Sequence, residues 1–230
     1  MATSIVSLAE ALSYLGESST VAESTLDLIA LIKRLAERAV RSWVGCGITQ
    51  ATYTHYLPDA ALCAGKPHLG EILRLPEWPV RSITNLYEDT YAYSGQGTGA
   101  FDSSTELTAG THYFLSLDQS GLSWFGHIVR LGAHWPAVGG SVKAVYTAGW
   151  SAAELDGDVS DLRLDASDIK LATLKAIAEA YVDAQHEGQA IKSERLDDWA
   201  VTYANESGPK VELPRDAKLL LNRFRREAVG

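Results

Sequence analysis

The sequence has few cysteines and no long apolar run. Cys46 and Cys63 are the two cysteines among 230 residues, which is too few for a disulfide framework. They could pair in an oxidising compartment, but inert free thiols in a reducing cytoplasm are the favoured interpretation. No stretch approaches the roughly eighteen apolar residues of a membrane span, and residues 1–16 lack the pattern of a signal peptide. We therefore expect a soluble protein that is made in a cytoplasm and has no membrane contact.

Catalytic and metal-binding motifs are also missing. The chain has no G-x-S-x-G elbow, and neither cysteine has the neighbourhood of a nucleophile. None of its histidines belongs to an H-E-x-x-H motif or to a histidine–cysteine cluster with metal spacing. The six histidines are His55, His68, His112, His127, His134 and His186. The sequence therefore predicts no enzyme, no bound metal and no cofactor.

Two stretches resemble ligand loops only in part. Residues 95–99 are glycine-rich, but a loop-like stretch follows where a phosphate-binding loop opens a helix, so we interpret them as a hairpin tip. Residues 156–161 resemble a calcium loop, yet Asp161 and Ser167 stand where an EF-hand needs glycine and glutamate. A solvated acidic loop is the favoured interpretation of this second stretch.

The overall charge is acidic. The formal net charge is −9 and the sequence pI is about 5.1, which argues against a general nucleic-acid binder because phosphate contacts need clustered lysine and arginine. An acidic body can still lie close to DNA without gripping it. The 46% apolar and 21% charged content is ordinary for a globular fold.

Two pairs of residues at capping-box spacing predict the starts of two helices. In each pair a serine or threonine is followed three residues later by glutamate, so that each side chain can bond the other's backbone N–H. Ser7 with Glu10 opens a short helix that Gly16 can close in the left-handed conformation. Thr20 with Glu23 opens a longer one.

The second helix has a clear apolar stripe and ends at Gly45 and Gly47. The stripe consists of Ala22, Leu26, Ile29, Ile32, Ala36, Ala39, Val40 and Trp43. Charged residues lie mostly off it, namely Lys33, Arg34, Glu37, Arg38 and Arg41. A third helix is predicted from a cap at Ser167 to about Gly188, and its two apolar faces are typical of a helix buried between neighbours.

Between residues 52 and 150 the apolar period changes to two. Alternating runs separated by glycine, proline and small polar residues predict strands at 52–57, 72–75, 80–87, 113–117, 124–131 and 142–147. We expect a compact antiparallel β region, as a small barrel or sandwich. Its tryptophans could form a sugar-binding platform, but strand aromatics are more commonly core, which is the favoured interpretation. These tryptophans are Trp78, Trp124, Trp135 and Trp150.

The predicted fold class is α+β. A small helical bundle, made of two N-terminal helices plus a third after residue 166, carries an inserted antiparallel β subdomain and is followed by a C-terminal arm and helix. The predicted divisions are 1–50 for the N-terminal helices, 51–150 for the β subdomain, 151–188 for an acidic loop and the bundle helix, and 189–230 for the arm and terminal helix.

The terminal helix is basic on an acidic chain. Residues 213–230 hold five basic and two acidic residues, a net charge of +3, which leaves −12 on the rest. Pro214 suits the first helical position. The apolar stripe of this helix is Ala217, Leu220, Leu221, Phe224 and Ala228. Residues 189–213 are polar and predicted to be extended, with Trp199, Val201 and Tyr203 alternating. Such a helix is suited to dock, either on its own core or on another protein.

Several stretches in the right order resemble the head–tail connector, or adaptor, family of tailed bacteriophages and gene transfer particles. They are SLAEALSYLG at 7–16, WVGCG at 43–47, LPEWPVRSI at 75–83, YTAGW at 146–150, and SER at 193–195 with VTY at 201–203. They resemble the family's opening helix, the end of its second helix, a strand entry, the strand before its third helix and its arm. The β region around 88–111 and the acidic loop at 151–166 are longer than in compact members.

The resemblance implies a structural virion protein rather than an enzyme. Family members assemble as a ring, commonly of twelve copies, beneath the portal protein of a filled head. The ring extends the DNA channel and is a platform for a neck, stopper or tail-terminator protein. The chain would assemble in the host cytoplasm and lie in the virion neck, and DNA would pass its lumen without sequence-specific binding because acidic walls repel phosphate.

The resemblance also implies that the terminal helix docks on the portal. The expected docking residues are Arg215, Lys218, Leu220, Leu221, Arg223, Phe224, Arg225 and Arg226. Each apolar member would contribute roughly 1.5–3 kcal/mol if fully covered, and the cations would contribute orientation and partner choice. The alternative is that the helix completes the subunit's own bundle. The alternative function is a carbohydrate-binding or other β-rich interaction module of a phage particle.

Overall fold

The chain contains two compact units. A computed structural model describes residues 4–18, 20–63, 69–89, 101–190 and 211–225. The β unit consists of Met1–Thr3, Cys46–Ala153 and Val159–Leu164. The helical unit consists of Ser4–Gly45, Glu154–Asp158 and Asp165–Gly230. Helices and antiparallel sheets together confirm the predicted α+β class.

Helix α1, Leu8–Leu15, confirms the first predicted capping box. The Ser7 hydroxyl accepts the backbone N–H of Glu10 at 3.2 Å, and the Glu10 carboxylate accepts the backbone N–H of Ser7 at 2.7 Å. Gly16 ends the helix with a φ of 72°, a left-handed conformation that costs little without a Cβ.

Helix α2 spans Glu23–Val44, and the capping box predicted for it is wrong. Ala22 is the N-cap, and no described side chain caps the helix. Thr20 is engaged elsewhere, because its backbone N–H and its hydroxyl lie 3.2 and 2.8 Å from the Ser18 hydroxyl. A local turn of this kind competes with capping. The stripe itself is confirmed by four residues with no exposed surface, Ile29, Ile32, Ala36 and Val40.

A buried carboxylate fixes the N-terminal segment on α2. Glu37 is only 8% exposed and accepts hydrogen bonds from the Ser4 hydroxyl at 2.5 Å and from the N–H groups of Ile5 and Val6 at 3.0 and 3.2 Å. Lys33 adds an ion pair at 3.1 Å. The sequence placed Glu37 off the apolar stripe, whereas these partners satisfy a charge that burial would otherwise penalise.

The predicted acidic loop at 151–166 is partly helical. Helix α4, Ala152–Asp156, lies within it, and its Glu154 and Leu155 are buried. The loop prediction was wrong here because a buried leucine anchors a short helix that has no amphipathic repeat long enough to detect. Helix α5, Ser167–Ala190, follows. The Asp165 carboxylate accepts the backbone N–H of Ser167 at its start.

An ion-pair network joins α1, α4 and α5 within the helical unit. The Lys170 ammonium on α5 contacts the carboxylates of Glu10 and Asp156. Partial burial alone would raise the pKa of Glu10, but hydrogen bonds from Lys170 and Ser7 together with the Lys170 charge lower it to about 2. The same contacts raise the pKa of Lys170 against the opposing effect of burial.

All six strands predicted for the β unit are present. They are β1 Ala51–Leu57, β2 Ile72–Arg74, β3 Val80–Glu88, β4 Tyr113–Leu115, β5 His127–Arg130 and β6 Val142–Ala148. They form two three-stranded antiparallel sheets, in the orders β1-β6-β3 and β2-β5-β4. A short helix, α3 Ala60–Cys63, follows β1.

The core of the β unit contains side chains from both sheets. Tyr146 on β6, Leu86 on β3 and Ile128 on β5 are fully buried, as is Trp135. The indole of Trp135 donates to the carbonyl of Glu71 at 2.8 Å. Strand β6 alternates buried and half-buried residues along its whole length, as the period of two predicts.

Two glycines in the β unit allow close approach of the chain. At Gly149 a Cβ would lie 2.7 Å from the carbonyl oxygen of Thr49, and its φ is +95°. At Gly47 a Cβ would lie 2.0 Å from the Tyr53 hydroxyl. Gly45, with a φ of 86°, ends α2 as predicted, whereas Gly47 is instead needed for packing on Tyr53.

Candidate docking surface of the C-terminal helix

Helix α6 spans Arg215–Leu221 and continues as a 3₁₀ turn, Asn222–Phe224. Pro214 is the N-cap, with φ −54° and ψ 153°, one residue earlier than predicted. Its carbonyl accepts the first helical hydrogen bond, from the N–H of Lys218 at 3.0 Å. Its missing N–H costs nothing at this position.

The apolar stripe of α6 packs inside the helical unit. Leu221 has no exposed surface and Phe224 is 4% exposed. Helix α6 contacts α5 and α2, which belong to the same unit. The subunit's own helices therefore cover these two residues in this structure. Leu220, the third predicted apolar docking residue, is half-buried.

The exposed apolar residue of the helix is Leu219, which the sequence analysis did not include. Its exposure is 62%. It lies off the stripe defined by steps of three and four residues, so the stripe does not predict it. The sequence does indicate that one leucine is exposed, because three consecutive leucines on a helix span about 200° and cannot all face one core.

Two of the predicted docking cations flank an aromatic ring on α2. The Lys218 ammonium lies 5.4 Å and the Arg225 guanidinium 4.9 Å from the centre of the Trp43 ring, which is the range of cation–π attraction. Trp43 also lines a groove of about 350 Å³. The other residues of its lining are Ala39, Ser42, Glu212, Leu213 and Lys218.

The third cation, Arg223, is engaged with the start of α5. Its guanidinium lies 3.1 Å from the Asp168 carboxylate and donates to the carbonyl of Asp165 at 2.9 Å. The pKa of Asp165 is lowered, first by hydrogen bonds from Ser167 and also by the charge of Arg223. Arg223 therefore holds the terminal turn on its own subunit.

The fourth cation, Arg215, is exposed. Arg226 lies outside the described residues. Of the eight predicted positions, the structure thus exposes Arg215, Arg223 and Arg225, half-buries Lys218 and Leu220, and buries Leu221 and Phe224. We call the set Arg215, Lys218, Leu219 and Arg225 with Trp43 the α6 surface.

The tryptophans of the β unit are mostly core residues. Trp78, Trp135 and Trp150 are buried, which confirms the favoured interpretation for these three. Trp124 is half-buried and its ring lies 6.1 Å from that of Trp150.

The predicted hairpin tip at 95–99 and most of the predicted arm lie outside the described residues. Within the described ranges, no group of three or more histidine, cysteine, aspartate or glutamate side chains is placed to hold a metal. Asp156 and Asp161, from the calcium-like stretch, instead pair with Lys170 and Arg163. Among the described helices, none is long and apolar enough to cross a membrane.

Three solved structures that are similar to this chain come from gene transfer agent particles. No protein-family model and no curated protein matches the sequence. Among solved structures, the chain is similar to one in the neck of an empty gene transfer agent (GTA) particle computed with C6 symmetry, with 20% identity and a TM-score of 0.54 over 98% of this chain and 93% of that one. A chain in the virion of a native GTA particle has 19% identity and a TM-score of 0.55 over the same shares.

A third similar chain comes from the neck of a native GTA particle computed with C12 symmetry. Its identity is 18% and its TM-score 0.50, over 100% of this chain and 98% of that chain. At these identities the likeness establishes a shared fold, and it extends over nearly the whole length of both chains.

Proposed function

We propose that the chain is a structural, non-enzymatic subunit of the neck of a tailed phage or gene transfer particle. The observation that carries the proposal is the full-length likeness to chains from GTA necks. The likeness covers 98% or more of this chain and 93% or more of each of those chains. The residue motifs that resemble the head–tail connector family support the same conclusion.

In the proposed role, identical copies form a closed ring at the head–tail interface, with twelve copies as the expected number. A head-to-tail ring needs two different complementary surfaces on each subunit, and it closes when the rotation between them divides a circle. The C12 symmetry used for one similar neck supports this number. The ring would extend the DNA channel and be the platform for a neck, stopper or tail-terminator protein.

The charge distribution supports passage of DNA through such a ring. The chain carries −9 overall, and −12 outside residues 213–230. Acidic walls repel phosphates, so DNA slides without being gripped. The net positive charge of residues 213–230 would favour an acidic protein partner instead.

The α6 surface is the proposed contact with the portal. Leu219 is 62% exposed, and covering it would contribute about 1–2 kcal/mol. Arg215 and Arg225 stand on either side of it along the chain and would select an acidic partner surface. Leu221 and Phe224 contribute indirectly, because their burial holds α6 in place. The portal contact therefore rests on fewer residues than the eight that the family resemblance implies.

A binding experiment with matched variants tests this contact. Purified chain is mixed with portal rings of the same particle, and co-sedimentation is measured for wild type, Leu219→Asp and Arg215→Glu. Both substitutions should weaken binding at least tenfold while leaving the circular dichroism spectrum unchanged. Leu162→Asp is the control, since Leu162 is 79% exposed in the β unit.

Two results would count against the proposal at different levels. Wild-type binding by Leu219→Asp and Arg215→Glu would remove the α6 surface from the portal contact. A wild-type chain that neither forms rings nor associates with portal or tail components would overturn the neck function itself.

A further inference from the structure

The sheet β1-β6-β3 has one edge that the described chain leaves open. Strand β1, Ala51–Leu57, pairs with β6 along all seven residues. On its other side, no described strand pairs with it. An exposed strand edge offers backbone donors and acceptors to another strand.

The hydrogen bonds of β3 show which groups on β6 point toward β1. The carbonyl of Leu86 accepts the N–H of Leu107 at 2.7 Å, and the N–H of Glu88 donates to Thr105 at 2.9 Å. The backbone groups of Leu86 and Glu88 thus point away from β6. The backbone N–H and C=O of Tyr87, which lies between them, must therefore point toward β6, where its partner is Lys143.

The backbone N–H and C=O groups of successive residues in a strand point to opposite sides. Those of Lys143 point toward β3, so those of the adjacent Ala144 point toward β1. Its partner there is His55, whose backbone groups are used in the ladder. By the same alternation, three residues direct their N–H and C=O groups to the open edge. They are Thr52, Thr54 and Tyr56, and all three side chains are exposed.

The opposite edge of the sheet is protected by described residues, whereas no described strand pairs with the outer edge of β1. The N–H of Val80, at the start of β3, donates to Ser123 at 2.9 Å, and residues 105–107 cover the end of β3. Strand β3 also has two irregularities in its register. Strand β1 has an unbroken register, no proline and no charged residue. It therefore lacks the devices that normally keep an edge from pairing.

We propose that the open edge of β1 receives an extended strand from residues 199–203 of a neighbouring copy, an inference that rests on the ring proposed above. These residues lie outside the described ranges. In the sequence they read WAVTY, with large residues alternating at Trp199, Val201 and Tyr203 and no charge. β-branched and aromatic residues in alternation favour strand pairing, and an uncharged strand meets no repulsion from the uncharged β1.

A long segment outside the described residues carries the proposed donor strand. Residues 191–210 separate Ala190, at the end of α5, from Val211. Both flanks belong to the helical unit. Twenty extended residues that leave and return can reach about 30 Å from their attachment points.

The proposed pairing also has the right symmetry for a ring. The donor, residues 199–203, and the acceptor, β1, are different surfaces of one subunit. Repeating such a contact continues from copy to copy until the ring closes. Pairing of β1 with β1 of a second copy would instead be two-fold symmetric and would stop at a dimer.

The first test removes one outward N–H. Thr54→Pro deletes a donor at the open edge without affecting the β1–β6 ladder, and edge strands tolerate proline at such positions. This change removes one hydrogen bond and leaves its acceptor unsatisfied. The protein concentration at which half of the chains are in rings should therefore rise about tenfold or more. Thr54→Ala keeps the N–H and should assemble as wild type. Circular dichroism shows whether both variants fold.

The second test identifies the occupant in assembled rings and does not depend on Thr54→Pro folding. In a Cys63→Ser background, a Thr54→Cys chain is mixed with a Val201→Cys chain and treated with a short bifunctional maleimide. The expected product is a covalent dimer that forms in the mixture but in neither variant alone. A chain that carries both cysteines should give a series of covalently linked oligomers once rings have formed.

Three outcomes would overturn the pairing. One is an intrachain cross-link in the doubly substituted chain while it is monomeric, which assigns the edge to the chain's own arm. Another is a dimer from Thr54→Cys alone, which assigns it to β1 of a second copy. The third is ring formation by Thr54→Pro at wild-type concentration with no cross-link, which leaves the neck function standing. Absence of rings from wild type with portal present would instead remove the proposed function, and this inference with it.

Discussion

Replacing Leu221 by alanine should destabilise the helical unit far more than the same change at Leu219. The two residues lie on one helix, but Leu221 has no exposed surface and Leu219 is 62% exposed. Truncating a fully buried leucine costs about 3 kcal/mol, from lost transfer free energy and from the cavity left behind. At Leu219 the cost should stay within about 0.5 kcal/mol, because leucine and alanine differ little in helix propensity.

Urea unfolding followed by far-ultraviolet circular dichroism measures this difference. With a slope of about 2 kcal/mol per M, a loss of 3 kcal/mol lowers the midpoint by about 1.5 M. Leu221→Ala should show this shift and Leu219→Ala almost none. Equal midpoints, or a larger shift for Leu219→Ala, would refute the assignment of Leu221 to the core. The dependence of the unfolding free energy on urea concentration should be the same for both variants and wild type, which is the control that all three unfold the same structure.

Two further predictions concern electrostatics and backbone strain. The pKa of Glu10 is lowered from its usual 4.5 to about 2, so its stabilising effect is complete above about pH 5 and is lost as pH falls toward 2. Between pH 6 and pH 3, the melting temperature should therefore fall less for Glu10→Gln than for wild type. An equal fall would contradict the role of Lys170. Gly149→Ala should cost at least about 2 kcal/mol more than Gly121→Ala by urea denaturation. Both glycines have positive φ, but a Cβ at Gly149 meets the Thr49 carbonyl while one at Gly121 meets open space, so similar costs would argue against the clash.

The fold was predictable where the signal is local and repeated. The Ser7–Glu10 box, the stripe of α2 and the alternation in the strands each depend on residues within a few positions of one another. Thr20 has the same capping spacing, yet its helix begins without it because Ser18 is an equally local competitor. Helix α4 was missed because five residues are too short for a period to show.

The candidate site was predictable only in part. A helical stripe identifies residues that can be buried together but does not identify what buries them, and here the covering surface comes from α5 and α2. The contact of Arg223 with Asp168, 55 positions earlier, and the stacking of Lys218 and Arg225 on Trp43 join residues far apart in sequence. Leu219 emerged as the exposed residue only when the burial of its neighbours was known.

The sequence by itself determined the element types, the antiparallel β region and the charge contrast between the acidic body and its basic end, because periodicity, capping and net charge are properties of the chain alone. Only the tertiary structure decided that Leu221 and Phe224 are core and that Glu37 is buried and satisfied. It also decided that, within the described ranges, the outer edge of β1 is left open while that of β3 is covered. Burial and edge pairing depend on which distant segments pack together, and a single chain's pattern does not specify those partners.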